Sequence, residues 1–489
     1  MNKIHILFLL LLCLQLQIFG QFNRNAIQSS IDKFAEDKDL SGSSMSICLM
    51  NASTGAIIAS YDKQRKLIPA STQKLITCAT ALKYLGENYI FSTPFQFIGR
   101  IIQDSIFSGD LIIQGVGDPS FGSGNFKEAN TVSFIADTIY SILKNECITE
   151  IHGKIIVRSD FINDIPENPE WLFYDIGNYY GAGIYGFNVL DNSAYLTIEK
   201  GSNSEYAEIT EVYPSELRSQ FSNKIKVQSN SNDNDELFVI GSSNCSNLKL
   251  CGVVSSSVPF KTQIKSAIPD PGSTYELMLK NQLERRGIKV VSQKNNRKSN
   301  YKYEWFRNYS PPLSEMIRYA LKTSNNLYCE SFIHILGQQW FGSTERDKAI
   351  QTLMNIWNEK LDSDQQIKLV DGSGLSRKNR ISAESMCKLL NSIQSIDGAP
   401  VILNLISDSS TEGSLASQFS GSNTLKGELL LKSGSMEGIR AYAGYLRYPN
   451  APLLSFCLFI NFHECNSKLL TSKIAKVFIN IDNSFKPRG

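Results

Sequence analysis

Histidine is scarce in this chain, with four in 489 residues, and His5 falls within the first twenty, leaving His152, His334 and His463. The sequence has neither a Gly-x-Ser-x-Gly frame nor a His-Glu-x-x-His run, which disfavours a Ser-His-Asp hydrolase and a zinc peptidase. Phe462-His463-Glu464-Cys465 is an isolated cluster that reads as the end of a strand. An excess of one charge is also missing. Lys+Arg of 49 against Asp+Glu of 47 gives +2, too little for a nucleic-acid footprint or a polybasic membrane patch. After the first twenty residues no uninterrupted apolar run reaches the roughly 18 residues of a spanning helix. Of ten cysteines Cys13 lies in that first segment, and the nine that remain cannot all pair. Cys48 and Cys457 sit inside apolar runs, where a thiol behaves as a small buried hydrophobe. Cys245 and Cys251, in a polar loop, are the best candidates for an oxidised pair, and no spacing matches a zinc site or any other metal site.

What is present supports a large exported protein. At roughly 100 to 200 residues per domain the chain has room for two to four domains. Lys3 followed by the apolar run Ile4 to Leu16 and a small residue at Gly20 reads as a signal peptide over 1–20, with an uncleaved anchor as the alternative because Ile18 is large. Leu12 before Cys13 is too large for a lipoprotein signal. Ile27, Ile31, Phe34 and Ala35 recur at helical spacing, and Ser44 to Asn51 and Ala56 to Asp62 read as a hairpin. A buried helix is predicted from Ser71 to a C-cap at Gly86. From about Tyr89 the texture turns β-rich (Phe95 to Ile102, Leu111 to Gly115, Lys154 to Arg158, Glu236 to Ile240), with one helical pattern near Val132 to Leu143. The polar run Ser229 to Glu236 reads as a loop tip. Helical texture resumes with a capping box Ser273-x-x-Glu276, opening a helix that stops near Gly287. Strands are predicted at Leu429 to Lys432, Ala441 to Tyr448 and Leu453 to Asn461, and a helix through Leu469, Leu470, Ile474, Val477 and Phe478.

Ser71 and Lys74, three positions apart at a helix start, lie on one face within hydrogen-bonding reach, the geometry of a serine nucleophile activated by a lysine amine. Alone, Ser-x-x-Lys is a common tetrad that often caps a solvated helix. Ser324-Asn325-Asn326 sits between two helical runs and can present a hydroxyl and an amide. Lys432-Ser433-Gly434-Ser435 ends an apolar strand where Gly434 allows close approach of a ligand backbone. The three motifs in this order make a pattern that none makes alone.

The set resembles the penicillin-binding proteins and active-site serine β-lactamases, through Ser71/Lys74, Ser324/Asn326 and Lys432 to Gly434. Flanking runs sharpen the likeness: Pro69 to Leu75, Gly109-Asp110-Leu111, Gly117-Asp118-Pro119-Ser120, Asp371-Gly372-Ser373-Gly374-Leu375-Ser376-Arg377 and Ala443-Gly444-Tyr445. These are similar to the class C, type-4 low-molecular-mass penicillin-binding proteins, which are D-alanyl-D-alanine carboxypeptidases and endopeptidases. Ser71 and Ser324 lie 253 residues apart (324 − 71), and that family carries an insert there. Ser433 departs from the commoner Thr but keeps the hydroxyl, and Gly181 to Gly186 lacks the Pro and Ser expected near the insert's end.

The resemblance implies an α+β fold, with an antiparallel sheet flanked by helices in a β-lactamase/transpeptidase-like catalytic domain of residues 21–88 plus 265–489. A β-rich insert would occupy 89–264, separate enough that joining its flanks would leave a protein able to acylate. It further implies that Ser71 attacks and Lys74, kept neutral by burial and the Lys432 cation, accepts its proton. Ser324 would relay the proton to the leaving amine, Asn326 would orient Lys74 and the substrate amide, and Lys432 with Ser433 would hold the substrate carboxylate beside Gly434. The Ser71 and Ser435 amides would form the oxyanion hole. No cofactor is implied; the partners are peptidoglycan peptides, with β-lactam antibiotics as covalent inhibitors, in the periplasm or cell envelope. The alternatives are a serine β-lactamase, which lacks support because no Glu-x-x-Leu-Asn element is present, and an inactive envelope scaffold of the same fold.

Overall fold

Asn23 accepts a hydrogen bond from the Ala26 amide at 3.2 Å and opens α1 (Arg24–Ala35), whose Ile27, Ile31 and Phe34 share one buried face. The computed structural model describes residues 21–126, 131–200, 205–228, 236–243, 245, 247–255, 261–293, 302–394, 399–413, 415–419 and 424–486. The expected signal segment 1–20 and the polar stretch 229–235 lie outside the described residues. The chain divides into two units. One takes the described residues up to Tyr84, Ile317–Ser324 and those from Ile350 onward, and the other takes Leu85–Met316 and Asn325–Ala349. After α1 the first unit forms the hairpin β1 (Ser44–Asn51) and β2 (Ile57–Tyr61), then α2 (Lys74–Leu85), stopped by Gly86 at φ +84°.

The second unit holds two sheets. β3 (Ser92–Ile102) and β4 (Ile106–Gln114) form a hairpin, and after α3 (Val132–Asn145) the short β5 (Glu150–His152) and β6 (Ile155–Arg158) add to β4 in parallel. The chain then lays down β7 (Ser193–Lys200), β8 (Tyr206–Tyr213), β9 (Phe221–Gln228), β10 (Glu236–Ile240), β11 (Leu248–Ser255) and β12 (Lys261–Ala267). Their order is β10-β11-β9-β8-β7-β12, antiparallel except for β9 with β11. After α4 (Pro271–Arg285), β13 (Lys289–Val291) and β14 (Lys302–Tyr309) return to the first sheet, giving β13-β5-β4-β3-β14. One apolar core runs from Phe95 and Phe107 through Leu196 and Ile225 to Tyr275, Leu279 and Val290.

That core explains why the unit and the expected insert of 89–264 do not coincide. Strands β13 and β14 pair with β5 and β3, and Ile268, Tyr275 and Leu283 are buried in the same cluster, so residues well beyond 264 belong to this unit. Joining 88 to 265 would strip β13, β14 and α4 of their partners. The start of α4 also differs from the capping box. Asp270 is the N-cap, accepting from the Ser273 amide at 3.0 Å, while Glu276 accepts from the Val157 amide at 2.7 Å. All nine described cysteines carry free thiols, so Cys245 and Cys251 are not bonded to each other.

α5 (Leu313–Thr323), α6 (Asn326–Phe341) and α7 (Arg346–Asn358) follow. The first unit is completed by α8 (Ala383–Ile393), α9 (Ala399–Leu405), β15 (Glu428–Met436), β16 (Ile439–Arg447), β17 (Leu454–Asn461) and α10 (Ser467–Ser484). Its sheet runs β15-β16-β17-β1-β2, antiparallel throughout. β17 is buried at every position because helices cover both faces. Ile27 and Ile31 of α1 and Ile474 and Phe478 of α10 pack on one side in a cluster with Leu49 and Phe456, and α8 packs against β1 and β17. Among the described residues no helix is long and apolar enough to cross a membrane.

Candidate active site

Ser71 lies in a tight 3₁₀ turn, Ala70–Gln73, and the regular helix starts only at Lys74. The turn is held by the Thr72 hydroxyl, which donates to the Pro69 carbonyl at 2.7 Å. Ala70 takes φ +46°, a left-handed conformation that non-glycine residues rarely adopt and that recurs at functional turns. Leu75, Ile76, Ala79 and Leu82 bury α2 in the unit, and Lys74 on its first turn has 0% of its surface exposed. The Lys74 Nζ donates to Ser71 Oγ at 3.0 Å and to the Ser373 carbonyl at 2.7 Å. The serine hydroxyl, part exposed, is thus the outer end of a chain of polar contacts whose inner end is sealed from water.

The loop that supplies Ser373 was quoted in the sequence only as a flanking run. Its organiser is Asp371, 1% exposed, whose carboxylate accepts from the Gly374 amide at 2.9 Å, the Ser376 amide at 2.6 Å and Asn379 Nδ2 at 2.9 Å. Gln73 Nε2 donates to the same carboxylate at 3.2 Å, and Thr77 Oγ1 to the Gly372 carbonyl at 2.6 Å, so two residues of the serine segment grip this loop. Gly374 stands at φ +84°, and a Cβ there would meet the Ala70 carbonyl oxygen at 2.1 Å. Only glycine fits where the loop crosses the turn.

The Lys-Ser-Gly-Ser run lies in β15, the edge of the five-stranded sheet. A Cβ on Gly434 would lie 2.9 Å from the Ser71 backbone nitrogen, so the strand passes directly against the serine turn. Lys432 is 4% exposed, and its Nζ donates to the Ser433 carbonyl at 2.8 Å; Ser433 is part exposed and Ser435 exposed. Asp408 bridges to the outer side of Leu430, and among the described residues no strand covers that edge beyond Leu431. Ser71, Lys74 and the 432–435 run are therefore brought together within one unit. Ser324 closes α5 in the same unit at φ +59°. Asn326 begins α6 in the other unit and donates to the Tyr180 carbonyl at 2.6 Å, where burial raises the Tyr180 phenol to about 12. Among the described residues no group of three or more His, Cys, Asp or Glu side chains is placed to hold a metal.

A helix-flanked antiparallel sheet whose edge strand touches a serine-lysine turn is the architecture of the penicillin-recognising serine peptidases, and this protein is of that class. A family description, D-Ala-D-Ala carboxypeptidase 3 (S13), matches residues 27–480. The chain belongs to that family and is a serine-type D-Ala-D-Ala carboxypeptidase. It is 23% identical over 433 residues to the D-alanyl-D-alanine carboxypeptidase DacB of Haemophilus influenzae, covering 86% of each chain. It is 24% identical over 416 residues to the penicillin-sensitive carboxypeptidase A of Dictyostelium discoideum, covering 80% of this chain and 76% of that one. In fold it is similar to penicillin binding protein 4 (dacB) from Haemophilus influenzae, with a TM-score of 0.73 and 19% identity over 94% of this chain and 99% of that one.

Proposed function

We propose that Ser71 is the nucleophile of a D-alanyl-D-alanine carboxypeptidase and endopeptidase acting on peptidoglycan stem peptides and cross-links. Its Oγ attacks the penultimate D-Ala carbonyl carbon, its proton passes to the Lys74 amine, and the C–N bond breaks to leave an ester on Ser71 and a free amine. Ser324 relays the proton to that amine, and water then hydrolyses the ester. Asn326 orients Lys74 and the substrate amide. Lys432 and Ser433, beside Gly434, hold the carboxylate of the leaving residue. The Ser71 and Ser435 amides stabilise the developing oxyanion, at about 3 to 4 kcal/mol per donor in acyl transfer. Lys74 serves as a base only as the neutral amine.

The observation that carries this reading is the 3.0 Å between Lys74 Nζ and Ser71 Oγ, with the amine fully buried. A base held in contact with the hydroxyl inside a dry pocket is placed to remove its proton without competition from water. Lys3, the apolar run Ile4 to Leu16 and the small residue Gly20 support export to the cell envelope. Because a β-lactam ring presents the same amide to the serine, the test is incubation with labelled penicillin followed by mass spectrometry. A stoichiometric adduct on the Ser71 peptide is expected, absent in Ser71→Ala. An adduct elsewhere, or none on the unaltered protein, overturns the reading.

A further inference from the structure

A cavity in the second unit takes no part in the acyl chemistry proposed above. It encloses about 440 Å³ where the loop 122–125 and the start of α3 meet α4 and the ends of β7 and β8, a volume within the roughly 300 to 1,000 Å³ of small-molecule sites. Tyr195 of β7 and Tyr213 of β8 are partners across the two strands and both line it, their ring centroids 6.5 Å apart and their planes at 51°. Tyr213 is 53% exposed. The polar groups on its wall are held in place. Asp191 accepts through Oδ1 from the Tyr328 hydroxyl at 2.6 Å and through Oδ2 from Asn125 Nδ2 at 2.7 Å. Glu216 Oε1 accepts from Asn281 Nδ2 at 2.7 Å. Arg285, on the last turn of α4, lines the cavity, whereas its neighbour Arg286 is turned to Asp137 at 2.7 Å.

The segment that carries Asp191 has an uncommon backbone. Leu190, Asp191 and Asn192 follow one another at φ +56°, +54° and +47°. L-residues visit this left-handed region singly rather than in succession, and such strain is kept where the surroundings over-determine it, often at binding sites. Here it fixes a carboxylate that no step of acyl transfer uses. The charged groups on the wall are two carboxylates against one guanidinium, which disfavours phosphates and other polyanions. The carboxylates only accept and the guanidinium only donates. An ionised carboxylate offers about four lone-pair sites, so it can hold its neighbours and a ligand hydroxyl together. Tyr213 and Met278 add apolar surface beside them. A pyranose ring matches this combination, with hydroxyl groups around its rim and C–H groups on its faces.

We propose that this cavity binds N-acetylated sugar rings of a glycan strand. Tyr213 lies against a ring face, Asp191 and Glu216 accept from ring hydroxyls, and Arg285 donates to an acetamido carbonyl. The choice of an N-acetylated sugar rests on the reading of peptidoglycan as substrate, since such rings carry its peptides. The site is a second hold on the polymer, and it favours cleavage in an insoluble glycan-bearing substrate over cleavage of a free peptide.

The probe is chitotetraose, a peptide-free β-1,4 tetramer of N-acetylglucosamine, titrated into the full chain by calorimetry up to about 10 mM, enough to fill a site of millimolar Kd. Saturable binding is expected, unchanged once Ser71 carries penicillin. Tyr213→Ala and Arg285→Gln should each weaken it about tenfold, the scale of one stacked ring or one charged contact. Tyr213→Phe keeps the ring and should stay within about twofold, so the comparison holds even if Tyr213→Ala folds poorly. In Arg285→Gln, release of alanine from a soluble D-Ala-D-Ala peptide should be unchanged while cleavage of insoluble peptidoglycan slows. No binding by the unaltered protein, equal binding by Arg285→Gln, binding lost on penicillin acylation, or equal slowing on both substrates each overturns the proposal. Failure of the unaltered protein to acylate with penicillin would instead sink the serine-peptidase reading and leave chitotetraose binding measurable, so the two failures are told apart.

Discussion

Both units bury polar side chains, and they do so to different ends. In the first, Asp371, Gln73, Thr77 and Lys74 form a string that finishes at a part-exposed hydroxyl. In the second, Asn192 donates to Asn188 at 2.7 Å and to the Gly183 carbonyl at 2.9 Å, Asn188 donates to the Asp118 carbonyl at 3.3 Å, and Tyr328 donates to Asp191 at 2.6 Å. Those contacts tie residues 117–125 to 183–192 and present no reactive atom. A buried polar network is thus no sign of chemistry by itself. What marks the first one is direction, since its members converge on one part-exposed hydroxyl, the one proposed above as the nucleophile.

The sharpest way to break this contrast is at the hydroxyl. Ser71→Ala should retain the fold by circular dichroism and lose penicillin acylation by about 10⁴-fold or more, the scale seen when an acylating serine is removed. The two buried lysines come next. Lys74→Arg should slow acylation about 10³-fold because guanidinium does not accept a proton at working pH, whereas Lys432→Arg, which keeps a positive charge, should cost about tenfold. Stopped-flow acylation rates for both variants decide this, and the reverse order would exchange the lysines' roles.

Asp371→Ala tests whether the network holds the turn in place. It removes an acceptor from two backbone amides and Asn379 Nδ2 in a buried loop, so we expect a loss of about 2 to 4 kcal/mol in urea unfolding, with slower acylation in the variant that remains folded. The smallest effect concerns the second unit. Burial raises the Asp118 carboxyl to about 6 from 3.8 although Ser120 donates to it, and among the described residues its Oδ2 has no hydrogen-bond partner. An acid with a raised folded-state pKa contributes its stability fully below the unfolded value and loses it as pH climbs through the folded one. Ionisation should therefore destabilise the fold by about 3 kcal/mol between pH 4 and 7, from a shift of roughly two units at 1.36 kcal/mol each. Asp118→Asn should flatten that slope and restore about 1 to 2 kcal/mol at pH 8, since the amide keeps the Ser120 contacts while burying an unpaired N–H. Thermal melts across pH would show it, and an unchanged slope would count against it.

Much of the fold could be read from periodicity. The strand expected at Ser44 to Asn51 is β1 itself, Leu453 to Asn461 differs from β17 by one residue, α1 and α10 carry their apolar residues at the anticipated spacing, and α4 ends at Arg285, close to the expected stop near Gly287. Within the site, Ser71 and Lys74 were legible because both sit on one turn, where spacing dictates contact. The tie from Asp371 to the serine segment was not, because 298 residues separate it from Gln73 and no local rule reaches that far. The run Asp371-Gly372-Ser373-Gly374 did carry a signal, an acidic residue followed by glycines, which commonly marks a loop folded around its own carboxylate. The extent of the second unit escaped for a related reason. β13 and β14 join strands laid down far earlier, and a short apolar run does not state which sheet it will complete.

The half-covered edge of β15 has a consequence for solubility. An unpaired strand edge is a template for other chains, and long flat edges lead to aggregation. Here Asp408 and Ser409 occupy the edge as far as Leu431, and the run left over, Lys432 to Met436, carries a lysine and two serines. Segments that stack between chains generally run to about six or seven residues of high strand character and low charge. The length that remains suits a few peptide units of an extended ligand and is too short and too polar to recruit a second copy of the sheet.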